Sequence, residues 1–377
     1  MSISRRSMLL LAGASVGGFW LTGCAPRGAG AAVRIGANLP LSGPLAVYGT
    51  SVREGVEYYL RATDGAAQRL AFDWQDNASD PANAVRIAGR QLEGAAQAPN
   101  IYVSGVKPQT MAIMSDVAEA GLPHFVWIFD PQINASGPGN NFRTWVSYKI
   151  EPEKYYQFVQ ARSASKVAIA YVQLPHTVEE FESAVIPTLR QRGVQVTTEV
   201  FEFGRTDFRE IARRLVLGSP DAIILNGFQL ELSALVRALR QEPRFDAARI
   251  VGTYDMLDAA EVLSAEELEG IRVVTPEFST RRGREANAQW IEGFTSQFNK
   301  APLYTHAFAY DMAAILDGVA RSNPLPADNA AWVAALRATE LQGVTGPLSF
   351  DGDGDLVTPL VIGVFQAGQV EIAPENG

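Results

Sequence analysis

From position 33 onward, short apolar runs alternate with longer stretches in which apolar residues return every three or four positions. The first pattern is that of a buried strand and the second that of an amphipathic helix. Their regular alternation predicts βαβ units wound about parallel sheets. A first series reads as strand 33–39, helix 51–62, strand 70–75, helix 81–93, strand 100–103, helix 109–120 and strand 124–128. Asp80-Pro81 marks one helix entry, because a proline in the first turn gives up an N–H that has no partner there anyway. A second series begins at Lys166, with strand 167–172, helix 178–192, strand 195–202, helix 207–217, strand 221–225, helix 230–240 and strands 249–252 and 270–275. Between the two, 130–155 is rich in Asn, Gly and Pro and holds no sustained period, so it reads as a crossover.

The residues after 275 offer helices 286–299, 304–322 and 330–338 and strands 346–350 and 358–365, too little for a third complete lobe. They are expected to return and complete both lobes. The predicted fold class is therefore α/β, two Rossmann-like lobes joined by a three-strand hinge. The first lobe is expected at 33–147 plus 277–344 and the second at 148–276 plus 345–377. Ligands of open α/β sheets bind beyond the carboxyl ends of the strands, so lobes facing each other at those ends enclose a cleft.

Composition narrows the function. The 377 residues are 47% hydrophobic and 19% charged, which excludes both a disordered polyelectrolyte and a polytopic membrane protein. An excess of 41 acidic over 32 basic residues, net −9, argues against a nucleic-acid partner. The single cysteine, Cys24, excludes an intrachain disulfide, and His124, His176 and His306 are scattered and read as hydrogen-bonded, partly buried imidazoles. No GxSxG, HExxH, P-loop or strand-linked GxGxxG occurs, so no catalytic residue, metal or cofactor is predicted. Asp351-Gly352-Asp353-Gly354-Asp355 starts like a calcium loop, but Leu356 and Ile362 stand where Gly and Glu are needed, and a solvated turn is the better reading.

At the N-terminus, Arg5-Arg6 precede an uncharged apolar stretch reaching Leu21, which resembles a twin-arginine export signal. The stretch is short for a membrane span and is interrupted by Gly13, Gly17 and Gly18. It ends in Leu21-Thr22-Gly23-Cys24, similar to the lipobox of bacterial lipoproteins. This implies removal of residues 1–23, a lipid anchor on Cys24, a Gly- and Ala-rich tether over 24–32, and a globular part in water at a membrane face.

The segment Asn38-Leu39-Pro40-Leu41-Ser42-Gly43-Pro44-Leu45-Ala46-Val47-Tyr48-Gly49 is a Gly/Pro/Ser loop between a strand and a helix. It reads either as an anion-binding loop with free N–H groups and Tyr48 as a flat wall, or as a connection that needs Gly and Pro for turning alone. Val33-Arg34-Ile35-Gly36, Pro40-Leu41-Ser42-Gly43-Pro44, Tyr48-Gly49 and Gly55 together resemble the opening of the leucine/isoleucine/valine-binding family of ABC-importer substrate-binding proteins. The resemblance continues through 76–81, 221–227, 270–275, Tyr310-Asp311, Gly346-Pro347-Leu348-Ser349-Phe350-Asp351 and Gly354-Asp355.

That resemblance implies a type I periplasmic binding protein, a monomer that captures a small solute by hinge closure without chemistry. It also implies delivery to an ABC permease with its ATPase subunits, and a periplasmic location at the membrane through Cys24. The family's ligand residues fall on Ser42, Tyr48, Lys107, Pro108, Ile128, Asp130, His176, Phe228, Tyr254 and Thr305. Three positions depart from an amino-acid site. Lys107-Pro108 replaces the Ser or Thr that holds a carboxylate, Tyr254 with Asp255 beside it replaces the acid that takes the ammonium, and Asp130 stands where Thr is common. Tyr48, Phe228 and Tyr254, with Trp127 close by, form a wall that suits a flat apolar ligand. An amino acid, an aromatic acid and an uncharged amide all remain open. The alternative is a ligand-sensing receptor of the same fold feeding a membrane sensor, with an exported enzyme as the third reading.

Overall fold

The computed structural model describes residues 32–93, 98–128, 132–135, 139–145, 151–322 and 324–374; the export signal, Cys24 and Asp130 lie outside the described residues. Strands β1 (Val33–Leu39), β2 (Leu70–Asp76), β3 (Ile101–Gly105), β4 (His124–Trp127) and β5 (Asn141–Arg143) form a parallel sheet in the order β2-β1-β3-β4-β5. In β1 only Arg34 is exposed, because helices cover both faces of a parallel sheet and its central strands become nearly continuous apolar runs. Ile35 sets the register, opposite Phe72 on one side and Ile101 on the other.

The second series builds β6 (Lys166–Val172), β7 (Gln195–Phe201), β8 (Ala222–Leu225), β9 (Ile250–Gly252) and β10 (Arg272–Pro276). Then come β11 (Leu341–Gln342), β12 (Pro347–Phe350) and β13 (Leu356–Val357), a small antiparallel sheet, and finally β14 (Leu360–Gln366) and β15 (Gln369–Ile372). The second large sheet runs β15-β14-β10-β9-β8-β6-β7, with β14 antiparallel to β10.

The tail returns to both sheets. Helix Tyr304–Ala320 packs on helix Ala46–Ala62 at Gly55, where a side chain would overlap the His306 carbonyl and stand 2.7 Å from the Ala309 methyl. Asp317 locks the contact, accepting from Arg69 Nε at 2.6 Å and Tyr59 Oη at 2.9 Å. Phe350 of β12 lies against Phe142, ring centroids 5.0 Å apart, and Asp355 pairs with the fully buried Arg143 at 2.8 Å, so the small sheet also sits on the first lobe. The chain thus passes between lobes after β5, after β10 and after β13, the two-lobed α/β arrangement with three passages that the sequence predicts.

Two elements differ from expectation. The segment expected as a crossover contains β5 and helix Glu151–Ala161, whose Tyr155, Tyr156, Phe158 and Val159 are buried. The helix expected over 178–192 starts earlier, at Pro175, and widens into a π turn at Glu180–Val185 before resuming at Ile186. Pro187 has no N–H to continue the ordinary ladder and its ring crowds the preceding turn, which is a physical reason for that widening.

Candidate functional site

A cavity of about 520 Å³ opens between the lobes, beyond the carboxyl ends of the parallel strands of both sheets. From the first lobe, β1 delivers Leu39 and Pro40 and the following helix delivers Tyr48, Gly49 and Val52. Any side chain at Gly49 would overlap the Pro40 carbonyl, so glycine lets the first helical turn lie directly against the loop and brings Tyr48 to the cavity. The loop itself is tied down by Asp76 at the end of β2, whose Oδ1 accepts from the backbone N–H groups of Leu41 (2.9 Å), Ser42 (3.1 Å) and Ala78 (2.7 Å). Burial pushes the Asp76 carboxyl up, but these donors outweigh it and hold it below the usual carboxylate range.

The chain from β3 reaches the cavity at Gly105, Val106, Lys107 and Pro108, where helix Lys107–Glu119 begins. Val106 has φ of 66°, a costly conformation for a β-branched residue, and strain of this kind persists where the surroundings enforce it, often at ligand sites. Its N–H is held by the Trp127 carbonyl at 3.1 Å. The strained turn starts the helix at the cavity, so the positive end of the helix dipole favours an anion there. Trp127 and Trp145 meet edge to face, centroids 5.2 Å apart, and both line the cavity. From the second lobe come Leu174, His176, Phe203 and Phe228, the two phenylalanines packed edge to face at 5.7 Å.

Of the expected ligand residues, Tyr48, Lys107, Pro108, Ile128, His176 and Phe228 line this cavity together. Ser42 stands beside it, engaged through its N–H with Asp76 and through its carbonyl with the Ser79 hydroxyl at 2.9 Å. Tyr254 is fully buried behind the wall, its ring 6.2 Å from that of Tyr304. Thr305 is buried at the start of helix Tyr304–Ala320, a packing position set by the tail's return to the first lobe. Leu174, Phe203 and Trp145 were not anticipated. Leu174 and Phe203 each lie two residues past a strand end, β6 and β7, so the rule that open sheets bind ligand at strand ends would have found them. His124 and His306 are hydrogen-bonded within the fold, to Ser104 Oγ at 2.8 Å and to the Leu303 N–H at 2.9 Å.

The second lobe also buries acids close to the cleft. Burial pushes the Glu151, Glu180 and Asp255 carboxyls up, and their mutual repulsion adds to this for Glu180 and Asp255. Asp258 is pushed up to about 6, chiefly by burial. Across the cleft, burial raises the Tyr48 phenol to about 12, with Asp255 and Asp258 adding to the shift.

Two α/β lobes with a ligand-sized, aromatic-walled cavity between them define a protein that encloses a small molecule. Residues 32–369 match the periplasmic binding protein family, and the chain belongs to it. Leu/Ile/Val-binding protein homolog 1 of Brucella abortus is 23% identical over 339 residues, 87% of this chain and 88% of that protein. The leucine-, isoleucine-, valine-, threonine- and alanine-binding protein of Pseudomonas aeruginosa is 23% identical over 336 residues, 86% of this chain and 87% of that one. Among solved structures, a solute-binding protein of an ABC transporter from R. palustris in complex with benzoate superposes with a TM-score of 0.73 at 19% identity, covering 90% of this chain and 95% of that one. The last likeness is one of fold. Proteins of this family are solute-binding proteins and not enzymes, and membership implies an extracytoplasmic location. No described helix is long and apolar enough to cross a membrane.

Proposed function

We propose that the chain is the substrate-binding subunit of an ABC importer, held at the membrane through lipidated Cys24 after residues 1–23 are removed. It captures an amino-acid-like or aromatic carboxylate solute by closing its lobes and presents the closed form to a permease with its ATPase subunits. The observation that carries this reading is the cavity between the lobes, where Tyr48, Trp127 and Trp145 face Phe203 and Phe228. Each lobe supplies only half of the wall, so a flat apolar body gains its full burial only when the lobes meet, and ligand binding shifts the hinge toward closure. The start of helix Lys107–Glu119 is the seat for a carboxylate.

Residues 32–377 form one compact unit, so the soluble form from residue 25 onward is the material for a test. Its thermal unfolding is followed against amino acids, aromatic carboxylates and amides. A ligand at 100 times its dissociation constant stabilises the folded state by about 2.7 kcal/mol, a readily measured shift. A shift confined to one chemical class supports solute capture; no shift across the panel overturns it. For the anchor, Cys24→Ser is expected to move the full chain from the membrane fraction to the soluble one.

A further inference from the structure

The walls of the cavity between the lobes are mainly apolar, with Leu39, Leu45, Val52 and Trp127 on the first lobe and Leu174 and Phe228 on the second. Among the described residues that line it, none is acidic, and Lys107 alone carries a fixed charge near neutral pH. Lys107 is exposed at the first position of helix Lys107–Glu119. The backbone around it has few N–H groups to offer. Pro108 has none, the Val106 N–H goes to the Trp127 carbonyl at 3.1 Å, and the Thr110 N–H goes to the Val106 carbonyl at 3.0 Å. An anion at this helix start is therefore held chiefly by the Lys107 ammonium, a point charge on a flexible stem, and not by a cradle of amides.

The opposite charge is missing from the same walls. Where the resembled family carries the acid that takes an ammonium, this chain has Tyr254, completely buried behind the wall. Asp255 beside it is buried too, accepts from the Thr253 hydroxyl at 3.3 Å, and is not part of the lining. A free amino acid would have to seat its ammonium against indole, phenyl and aliphatic groups, and an ion withdrawn from water without a counter-charge is strongly disfavoured. Ring faces draw a cation, but a primary ammonium also needs acceptors for its three N–H bonds, and Lys107 on the same wall repels it. A carboxylate on an apolar body meets neither penalty. We propose that the cleft takes an aromatic or aryl-alkyl monocarboxylate that carries no ammonium group, its carboxylate at Lys107 and its ring between Trp127 on one lobe and Phe228 on the other. This rests on the cavity being the solute site and deepens that reading: it sets free amino acids aside and makes Lys107 the residue that fixes the ligand's charge.

Three compounds of one shape separate the alternatives. 3-Phenylpropanoate and phenylalanine differ only by the α-ammonium, and 3-phenylpropanamide replaces the carboxylate by a neutral amide. Titration calorimetry on the soluble form is expected to show 3-phenylpropanoate binding at least ten-fold tighter than either of the others. Benzoate and benzamide repeat the charge comparison for a ring that bears its carboxylate directly. Lys107→Gln is expected to weaken the carboxylates ten-fold or more, to about the level of the amides, with the unfolding temperature of the free protein little changed because Lys107 is exposed. Phenylalanine binding as tightly as 3-phenylpropanoate overturns the proposal, and loss of that binding in Asp130→Asn would assign the ammonium to Asp130. Amides binding as tightly as their acids, or Lys107→Gln leaving carboxylate affinity unchanged, also overturns it. Each of these leaves solute capture standing, whereas no binding by any of these compounds or by the wider panel removes both.

Discussion

Asp317 on the first-lobe side and Glu180 on the second are both acids withdrawn from water, yet their surroundings are opposite. Asp317 has a fully buried side chain that accepts from Arg69 Nη2 at 2.8 Å, Arg321 Nη2 at 2.7 Å and Tyr59 Oη at 2.9 Å. Burial pushes its carboxyl up, but these donors outweigh burial and hold it below the usual range. Glu180 has no donor, and burial with the neighbouring Glu151 and Asp255 drives it well above. Donors, and not burial, decide whether a hidden carboxylate is a fold element or a held-open valence. The first lobe spends its acid on tying the tail helix to helix Ala46–Ala62; the second keeps acids unspent beside the cleft.

The comparison breaks most visibly at Asp317. Asp317→Ala leaves Tyr59 and two guanidinium groups without their shared acceptor, and because Arg69 and Arg321 keep part of their hydration the loss is expected at about 2–3 kcal/mol. Thermal unfolding reads this as a drop of several degrees. Ligand affinity measured well below the transition should not move, and a large loss of affinity would mean that the tail helix does more than hold the first lobe together.

A smaller effect sharpens the contrast through pH. Glu151 is pushed up to about 7 from an ordinary 4.5, so between those values the folded protein holds more protons than the unfolded chain. Stability from this group is therefore complete at low pH and falls as pH rises from about 4.5 through 7. Asp317 has the reverse sign: its contribution is present above 3.8 and lost as pH falls through its lowered folded value. Unfolding temperatures of the ligand-free protein should thus decline toward neutral pH, and Glu151→Gln with Glu180→Gln should flatten that decline while leaving the acid limb in place. An unchanged slope would show that the two acids are ionised in the folded state.

How far the sequence reaches follows the same division. β1, β2, β6 and β7 start and stop within a residue or so of expectation: β1 and β6 are buried apolar runs, and the largely exposed edge strands β2 and β7 are marked by β-branched and aromatic residues between turns. Tyr48, Lys107, His176 and Phe228 were legible as cavity-lining residues through the family resemblance, since each follows a strand of the shared topology. Helix Glu151–Ala161 was not: its buried aromatics sit beside an Asn-, Gly- and Pro-rich stretch that masks the period. Glu151 and Glu180 were illegible as neighbours because 29 positions separate them and only the tertiary fold brings them within electrostatic reach of each other. Trp145 follows the short strand β5, whose three residues carry too little pattern to announce themselves.

The finest effect concerns the apolar half of the second-lobe wall. Phe228 is partly buried, caps helix Gln229–Arg240 through its backbone, and touches Phe203, itself 65% exposed at the cavity rim. Phe228→Ala keeps the backbone N–H that donates to Glu231 Oε2 at 3.3 Å, so the helix start survives and stability falls by only about 1 kcal/mol, the worth of one exposed aromatic pair. If the ring closes over the ligand, affinity falls about ten-fold, since 1.4 kcal/mol of lost contact is one decade. A variant that lost affinity for aromatic carboxylates alone would place Phe228 against the ligand's ring, whereas an equal loss for amino acids would place it against the part that both classes share.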